Sequence, residues 1–243
     1  MMARNSYEDA ARASAYSKLE FPGTYYLAYR DLPGLIAEHV QGNRALDFGC
    51  GSGRSTRFLK RLGFQAVGVD IAEGMIQIAR DLDTEGDYRL IERCALGVLG
   101  PGTWDLVLSA FALDNVASAE KPALMKSLAE ILAPGGVFIN LVSSPEIYVH
   151  EWASFSTKDY PENRGARSGD RVRIVITDIA DRRPVEDVVC SDEDYRSLYA
   201  QAGLELVATH RPLGKAEEPY AWRSETRVAP WVIYALRRPT QRV

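Results

Sequence analysis

The chain has 243 residues, of which 46% are hydrophobic and 26% charged, and its formal net charge is -4. That length suffices for a single α/β domain over residues 1–243 with a cover or an insertion, and the acidic balance argues against a nucleic-acid surface, which needs a clustered excess of Lys and Arg. With no apolar run of about 18 residues and no charged segment leading into an apolar signal core, the sequence predicts neither a membrane span nor a secretory signal, and hence a cytoplasmic protein.

Residues 6–19 and 24–40 read as helices separated by Phe21-Pro22-Gly23, and together they make an N-terminal helical cover, residues 1–41. A regular alternation follows: strand 44–48, helix 53–62, strand 65–69, helix 72–82, strands 88–93 and 104–109, helix 120–132, strand 136–142. Strands separated by helix-length segments imply right-handed crossovers and a parallel sheet covered on both faces. The segment 94–103 is too short and Gly-rich for a helix. From Ser144 the alternation lapses, and residues 144–190 read as a lid or insertion in which β-rich runs at 171–178 and 186–190 flank a hairpin turn at 180–184. Arginines cluster between Arg164 and Arg183, but interleaved acids make this a solvated hairpin surface. Ser191, with three acids behind it, is an N-cap for a helix ending near Gly203. Strands at 204–210 and 231–236 complete the sheet.

The central motif is Ala45-Leu46-Asp47-Phe48-Gly49-Cys50-Gly51-Ser52-Gly53, leading into a helical pattern: strand, glycine loop, helix. Such a loop lets backbone approach a ligand without side chains in the way, just where helix N–H groups begin. A dinucleotide fingerprint would be G-x-G-x-x-G, whereas here the pattern is D-x-G-x-G-x-G. Taken with Gly68-Val69-Asp70, the run Trp104-Asp105-Leu106-Val107-Leu108-Ser109 and the run Leu132-Ala133-Pro134-Gly135-Gly136-Val137-Phe138, all in order, the chain strongly resembles the class I S-adenosylmethionine-dependent methyltransferases over residues 30–145. That resemblance implies a Rossmann-like seven-stranded, mostly parallel sheet with helices on both faces. It also implies an enzyme with S-adenosyl-L-methionine as cofactor and a small-molecule acceptor. A homodimer is compatible with the sequence.

The same resemblance implies roles for particular residues. Asp47 holds the methionyl ammonium directly or through the loop, or else caps loop N–H groups. Gly49, Cys50, Gly51 and Gly53 form the cradle. Asp70 accepts the ribose hydroxyls, competing with a role as N-cap of the next helix, since one aspartate does not easily serve both. Ile71 packs on adenine or is ordinary core. After the third strand, where many relatives carry an acid for the adenine amino group, this chain has Arg93-Cys94-Ala95-Leu96, so backbone around Cys94 and Ala95 takes that place. Ser109 marks the pocket floor, where it converges with Asp47.

Sulfonium methyl transfer is an in-line displacement in which the protein mainly orients the partners and excludes water. For the acceptor side, Asp114 is an ammonium partner or base, and His150 in the lid is a second candidate; capping and structural hydrogen bonding are their bland alternatives. Asn115 and the tyrosines Tyr16, Tyr25 and Tyr29 supply a roof for a cationic or planar acceptor, or simply pack the cover. The three cysteines, Cys50, Cys94 and Cys190, lack C-x-x-C spacing and read as free thiols, and no compact His- or carboxylate-rich metal motif is present. Two other chemistries stay open: alkyl transfer or cyclisation of the cofactor releasing methylthioadenosine, and cofactor or partner binding without turnover. An NAD-dependent oxidoreductase is disfavoured by the glycine spacing.

Overall fold

The computed structural model describes residues 9–19, 21–92 and 95–240. Three helices lead in, α1 (Ala10–Ser17), α2 (Thr24–Arg30) and α3 (Leu32–His39). The alternating part follows as β1 (Arg44–Phe48), α4 (Arg54–Arg61), β2 (Gln65–Asp70), α5 (Glu73–Leu82), β3 (Asp87–Leu90), β4 (Trp104–Ala110), α6 (Lys121–Ile131) and β5 (Leu132–Ser143). An excursion then carries β6 (Phe155–Ser156), β7 (Arg171–Ile176) and β8 (Val185–Val188), after which come α7 (Asp192–Gln201), β9 (Glu205–His210) and β10 (Trp231–Arg237).

Seven strands form one sheet in the order β3-β2-β1-β4-β5-β10-β9. The first five run parallel, and β10 is antiparallel to both β5 and β9. Because β1 pairs with β2 on one side and β4 on the other, the order reverses there and a crevice opens at the carboxyl ends of β1 and β4. Side chains of a strand alternate between faces, and the buried residues sort accordingly. Leu106, Leu108, Ile139, Leu141, Trp231 and Ile233 join one core with α2 and α3, while Val107, Phe138, Val142, Val232 and Tyr234 join another with α6 and α7. The three antiparallel strands β6, β7 and β8 turn Phe155, Val172, Ile174 and Ile176 into the first of these cores. Cover and insertion therefore lie over the same face of the main sheet.

Several expected boundaries move for identifiable reasons. The expected helix 24–40 breaks at Asp31 into α2 and α3, because Pro33 in the first turn of α3 has no N–H to give and its ring would strike the carbonyl one turn back. Strand β5 starts at Leu132, with Trp104 opposite Leu132 and Leu106 opposite Val137, so the Pro-Gly-Gly stretch between them is absorbed as an irregularity in the ladder. Strand β3 ends at Leu90, short of the expected residue 93. The part of the first expected helix before residue 9 lies outside the described residues. Ser191 does cap α7, its hydroxyl accepting from the Asp194 N–H.

A buried polar knot ties the cover, the insertion and the C-terminal loop together. Glu225 is fully buried; its Oε1 accepts from the Thr24 hydroxyl and the Ala153 N–H, both at 2.7 Å, and its Oε2 accepts from the Arg223 N–H at 2.8 Å. Thr24 N–H donates to the Ser154 hydroxyl, Ser154 N–H donates back to Thr24 Oγ1, and the Trp231 indole N–H donates to the Thr24 carbonyl.

Candidate active site

The loop after β1 is built by hydrogen bonds that take up four of its amides. Gly49 and Cys50 N–H both donate to the Val69 carbonyl, Gly53 N–H to the Cys50 carbonyl, and Gly51 N–H to Asp70 Oδ2 at 2.8 Å. What the glycines supply is therefore room. Gly49 sits at φ +71° where a Cβ would run into the Cβ of Ala112, and Gly53 sits at φ +79° where a Cβ would come within 2.6 Å of the Tyr88 ring. A pyrophosphate would seek open amides at such a turn; an ammonium group seeks oxygen.

Asp47 offers that oxygen. It is fully buried, its Oδ2 accepts from the Ser55 and Thr56 hydroxyls at 2.6 Å each, and its Oδ1 has no hydrogen-bond partner among the described residues. Burial pushes its carboxyl up to about 6, against the pull of the two hydroxyls. A buried acceptor with open lone pairs beside a side-chain-free turn fits a methionyl ammonium. Asp70 Oδ1 accepts from Ala72 N–H at 2.8 Å and Oδ2 from Gly51 N–H, so it secures both the loop and the start of α5. A carboxylate offers about four acceptor sites, so Asp70 keeps acceptor capacity for a ligand beside the backbone amides of Gly51, Ile71 and Ala72.

The remaining cofactor-side residues sort by geometry. Ile71 is 39% exposed at the strand end and is not core. The Ser109 hydroxyl is fully buried without a partner among the described residues, and Ser109 stands in register with Phe48, the residue after Asp47. Cys50 is buried, and burial raises its thiol well above the ordinary range, leaving it inert. Ala95 N–H donates to the Glu92 carbonyl, and Cys94 lies outside the described residues. Sequence reasoning passed over Arg54, whose guanidinium is buried at 5.0–5.7 Å from the rings of Tyr16, Phe21, Tyr25 and Tyr29 and so couples the glycine loop to the cover.

A cavity with about 420 Å³ of empty space, part of it continuous with solvent, lies where β4 and β5 end beneath the cover and insertion. Its aromatic wall is Tyr16, Tyr25, Phe111, Phe155 and Trp231, with Tyr25 stacked on Trp231 at 5.7 Å and Phe111 tilted against it at 4.7 Å. Phe111 takes φ +65°, a conformation rare for residues other than glycine and one that tends to persist at functional sites. The opposite end is polar, made by Asp114, Asn115, Ser143, Tyr148 and Asp187. Asp114 Oδ2 accepts from the Ser143 N–H at 3.0 Å, and Asp187 Oδ2 accepts from the Tyr148 hydroxyl at 3.0 Å. Burial raises both carboxyls, and the charge of Asp114 raises Asp187 further. Behind them Lys121, almost fully buried and with no acceptor for its Nζ among the described residues, sits 5.2 Å from the Tyr195 ring.

Of the acceptor-side residues read from sequence, Asp114, Asn115, Tyr16 and Tyr25 meet on this cavity. Tyr29 does not; it packs against Phe21, Phe58 and Arg54. His150 stands away from the wall, exposed, its Nε2 3.1 Å from Glu146 Oε2 and its ring edge-on to Trp152. The structure thus gives it a hydrogen bond to a surface carboxylate outside the cavity. Sequence reasoning missed Asp187 and Tyr148. The available signal was the alternation in β8, which turns Val185 and Asp187 to the cavity while Glu186 pairs outside with Arg171.

Residues 45–136 match the family model for a methyltransferase domain. The ubiquinone biosynthesis O-methyltransferase of Xanthomonas euvesicatoria pv. vesicatoria (strain 85-10) is 32% identical over 101 residues, which is 40% of this chain and 41% of that protein. The enzyme of the same name from Ruegeria pomeroyi is 30% identical over 141 residues, 49% of this chain and 56% of that one. The chain thus spans about half the length of the curated relatives it matches. An S-adenosylmethionine-dependent methyltransferase structure from Clostridium acetobutylicum superposes with a TM-score of 0.65 at 14% identity, covering 97% of this chain and 100% of that one. Residues 45–136 thus carry a methyltransferase domain, on a fold the chain shares with S-adenosylmethionine-dependent methyltransferases, and S-adenosyl-L-methionine is the cofactor that such a domain implies. No helix among the described residues is long and apolar enough to cross a membrane.

Proposed function

We propose that this protein transfers a methyl group from S-adenosylmethionine to a nitrogen or oxygen of a small molecule held in the cavity between the cover, the insertion and the end of β4. The observation that carries the reading is the cavity itself: an aromatic wall facing a buried polar end, placed beside the strand end where Ser109 and the glycine loop meet. The cofactor supplies an electrophilic methyl on a sulfonium centre, and no further covalent chemistry is required of the protein. Asp47 Oδ1 receives the methionyl ammonium, the free lone pairs of Asp70 receive the ribose hydroxyls, and Ile71 and Ala95 flank the adenine. Tyr25, Phe111 and Trp231 exclude water and restrict the acceptor to poses in line with the methyl. Asp114, held by the Ser143 N–H, orients the acceptor heteroatom and takes its proton where the nucleophile carries one.

The test is incubation with S-adenosylmethionine and fractionated small metabolites, with S-adenosylhomocysteine and methylthioadenosine quantified by mass spectrometry. Acceptor-dependent S-adenosylhomocysteine is the expected product. Methylthioadenosine above the spontaneous background would replace this reading with attack on the cofactor's amino-acid chain, and failure to bind S-adenosylmethionine would end it.

A further inference from the structure

We infer that the acceptor is a primary or secondary amine that binds as its ammonium ion, recognised by a two-carboxylate receptor made of Asp114 and the insertion residue Asp187, with its apolar or aromatic body against Tyr25, Phe111 and Trp231. This rests on the methyltransferase reading and narrows it to a substrate class. Four observations support it. Asp114 and Asp187 are only 5% and 7% exposed, and both line the same cavity. Asp187 Oδ1 makes no hydrogen bond among the described residues, its partner Tyr148 binding Oδ2 alone, so an unpartnered acceptor is presented at a buried wall. Among the described residues, no Lys, Arg or His lines the cavity. Lys121 lies behind the pair and its charge favours the ionised form of both carboxyls, which leaves two acids against one base.

The physical consequence is a deficit of one positive charge. Two ionised carboxylates and one ammonium leave a net -1 in a place where isolated charge is costly. In the free protein that deficit is met by a proton on the pair, which burial and mutual repulsion favour. A ligand ammonium meets it equally well and adds hydrogen bonds to the open oxygens, with an aromatic wall that also attracts cations. A neutral hydroxyl satisfies the oxygens without supplying the charge, and a carboxylate ligand would add a third acid. The residues select against both.

The experiment uses the full chain saturated with S-adenosylhomocysteine and isothermal titration with matched probes: phenethylamine and tryptamine, their neutral counterparts 2-phenylethanol and tryptophol, and 3-phenylpropanoate. The amines should bind at least ten-fold tighter than the matched alcohols, and the carboxylate should not bind. Asp187→Asn should lower amine affinity about 10- to 100-fold, the range for a lost charge-assisted contact, and erase the preference over the alcohols. If that variant fails to fold, Asp114→Asn and the wild-type amine-to-alcohol ratio carry the test. Equal affinity for the two series, retention of the amine preference in the folded variant, or binding of no amine overturns the inference. Titration with S-adenosylmethionine alone is the separate control: cofactor binding without amine preference refutes the receptor and leaves the methyltransferase reading standing, whereas no cofactor binding refutes that reading as well.

Discussion

Glu225→Ala should unfasten the roof of the cavity. The side chain is fully buried and holds donors from three segments: the Thr24 hydroxyl of α2, the Ala153 N–H of the insertion and the Arg223 N–H of the C-terminal loop. Truncation leaves the first two without an acceptor, at about 1–3 kcal/mol each, while Arg223 lies near enough to the surface to recover a water. The expected loss is roughly 4 kcal/mol, a large part of the 5–15 kcal/mol that holds a typical domain together. Glu225→Gln keeps one oxygen for Thr24 and Ala153 but turns an amide N–H toward the Arg223 N–H, and should cost only about 1–2 kcal/mol. Urea unfolding measures both: at a slope on the order of 3 kcal/mol/M the alanine variant's midpoint falls by roughly 1 M, with the slope unchanged. Because cover and insertion both wall the cavity, the acceptor KM should rise more than that for S-adenosylmethionine. An alanine variant within about 1 kcal/mol of the parent would refute the reasoning.

The cofactor half and the titrating groups give further tests. Asp70→Ala removes the acceptor for Gly51 and Ala72 as well as the ribose partner, so S-adenosylmethionine affinity in calorimetry should fall by about 1.5–3 kcal/mol or more; unchanged affinity would cancel the ribose assignment. Gly53→Ala meets the Tyr88 ring from a left-handed backbone position and should lower Tm by several degrees while Gly63→Ala, with open space around its Cβ site, should cost mainly its backbone strain. His150→Ala should leave turnover close to the parent value, since the ring pairs with Glu146 outside the cavity; a large loss would return it to the mechanism. For pH, the folded carboxyl of Asp47 is raised to about 6 from an ordinary 3.8, so its stabilising contribution is complete below about 3.8 and is lost as pH climbs through 6, about 3 kcal/mol in all. Asp114 and Asp187 are raised too and act with the same sign, whereas the lowered Asp31 and Asp83 change stability only at more acid pH. Tm should therefore fall between pH 5 and 8, the part above pH 6 coming from Asp187, whose carboxyl is pushed up to about 8, and shrinking in Asp187→Asn; a rise over that interval would contradict the burial argument.

Local sequence patterns set the frame of the molecule and the proposed cofactor side of its site. Near-continuous apolar strands of five to seven residues, helix-length spacers and the Asp47-to-Gly53 loop are local patterns, written in neighbouring residues and set by backbone sterics and periodicity. Even there, chain order alone did not reveal that three of the loop amides are bonded to the end of β2 or that Asp70 keeps acceptor capacity. Its limits showed where Pro33 split one helix into two and where the ladder absorbed residues after Leu132, both set by sterics and pairing that a periodic pattern does not carry. The acceptor side was decided by tertiary structure. Asp114 and Asp187 are 73 residues apart in the chain, and Asp187 sits in a run that reads as an ordinary charged hairpin until the pairing of β7 with β8 fixes which side chains turn inward. His150 and Tyr29 looked equally suited by composition, yet one ends at the surface beside Glu146 and the other beneath Arg54. The proposed cofactor site is encoded locally because a loop and a strand end suffice to shape it; the proposed acceptor cavity depends on how the cover and the insertion fold back over the sheet, and that is fixed by contacts between distant residues.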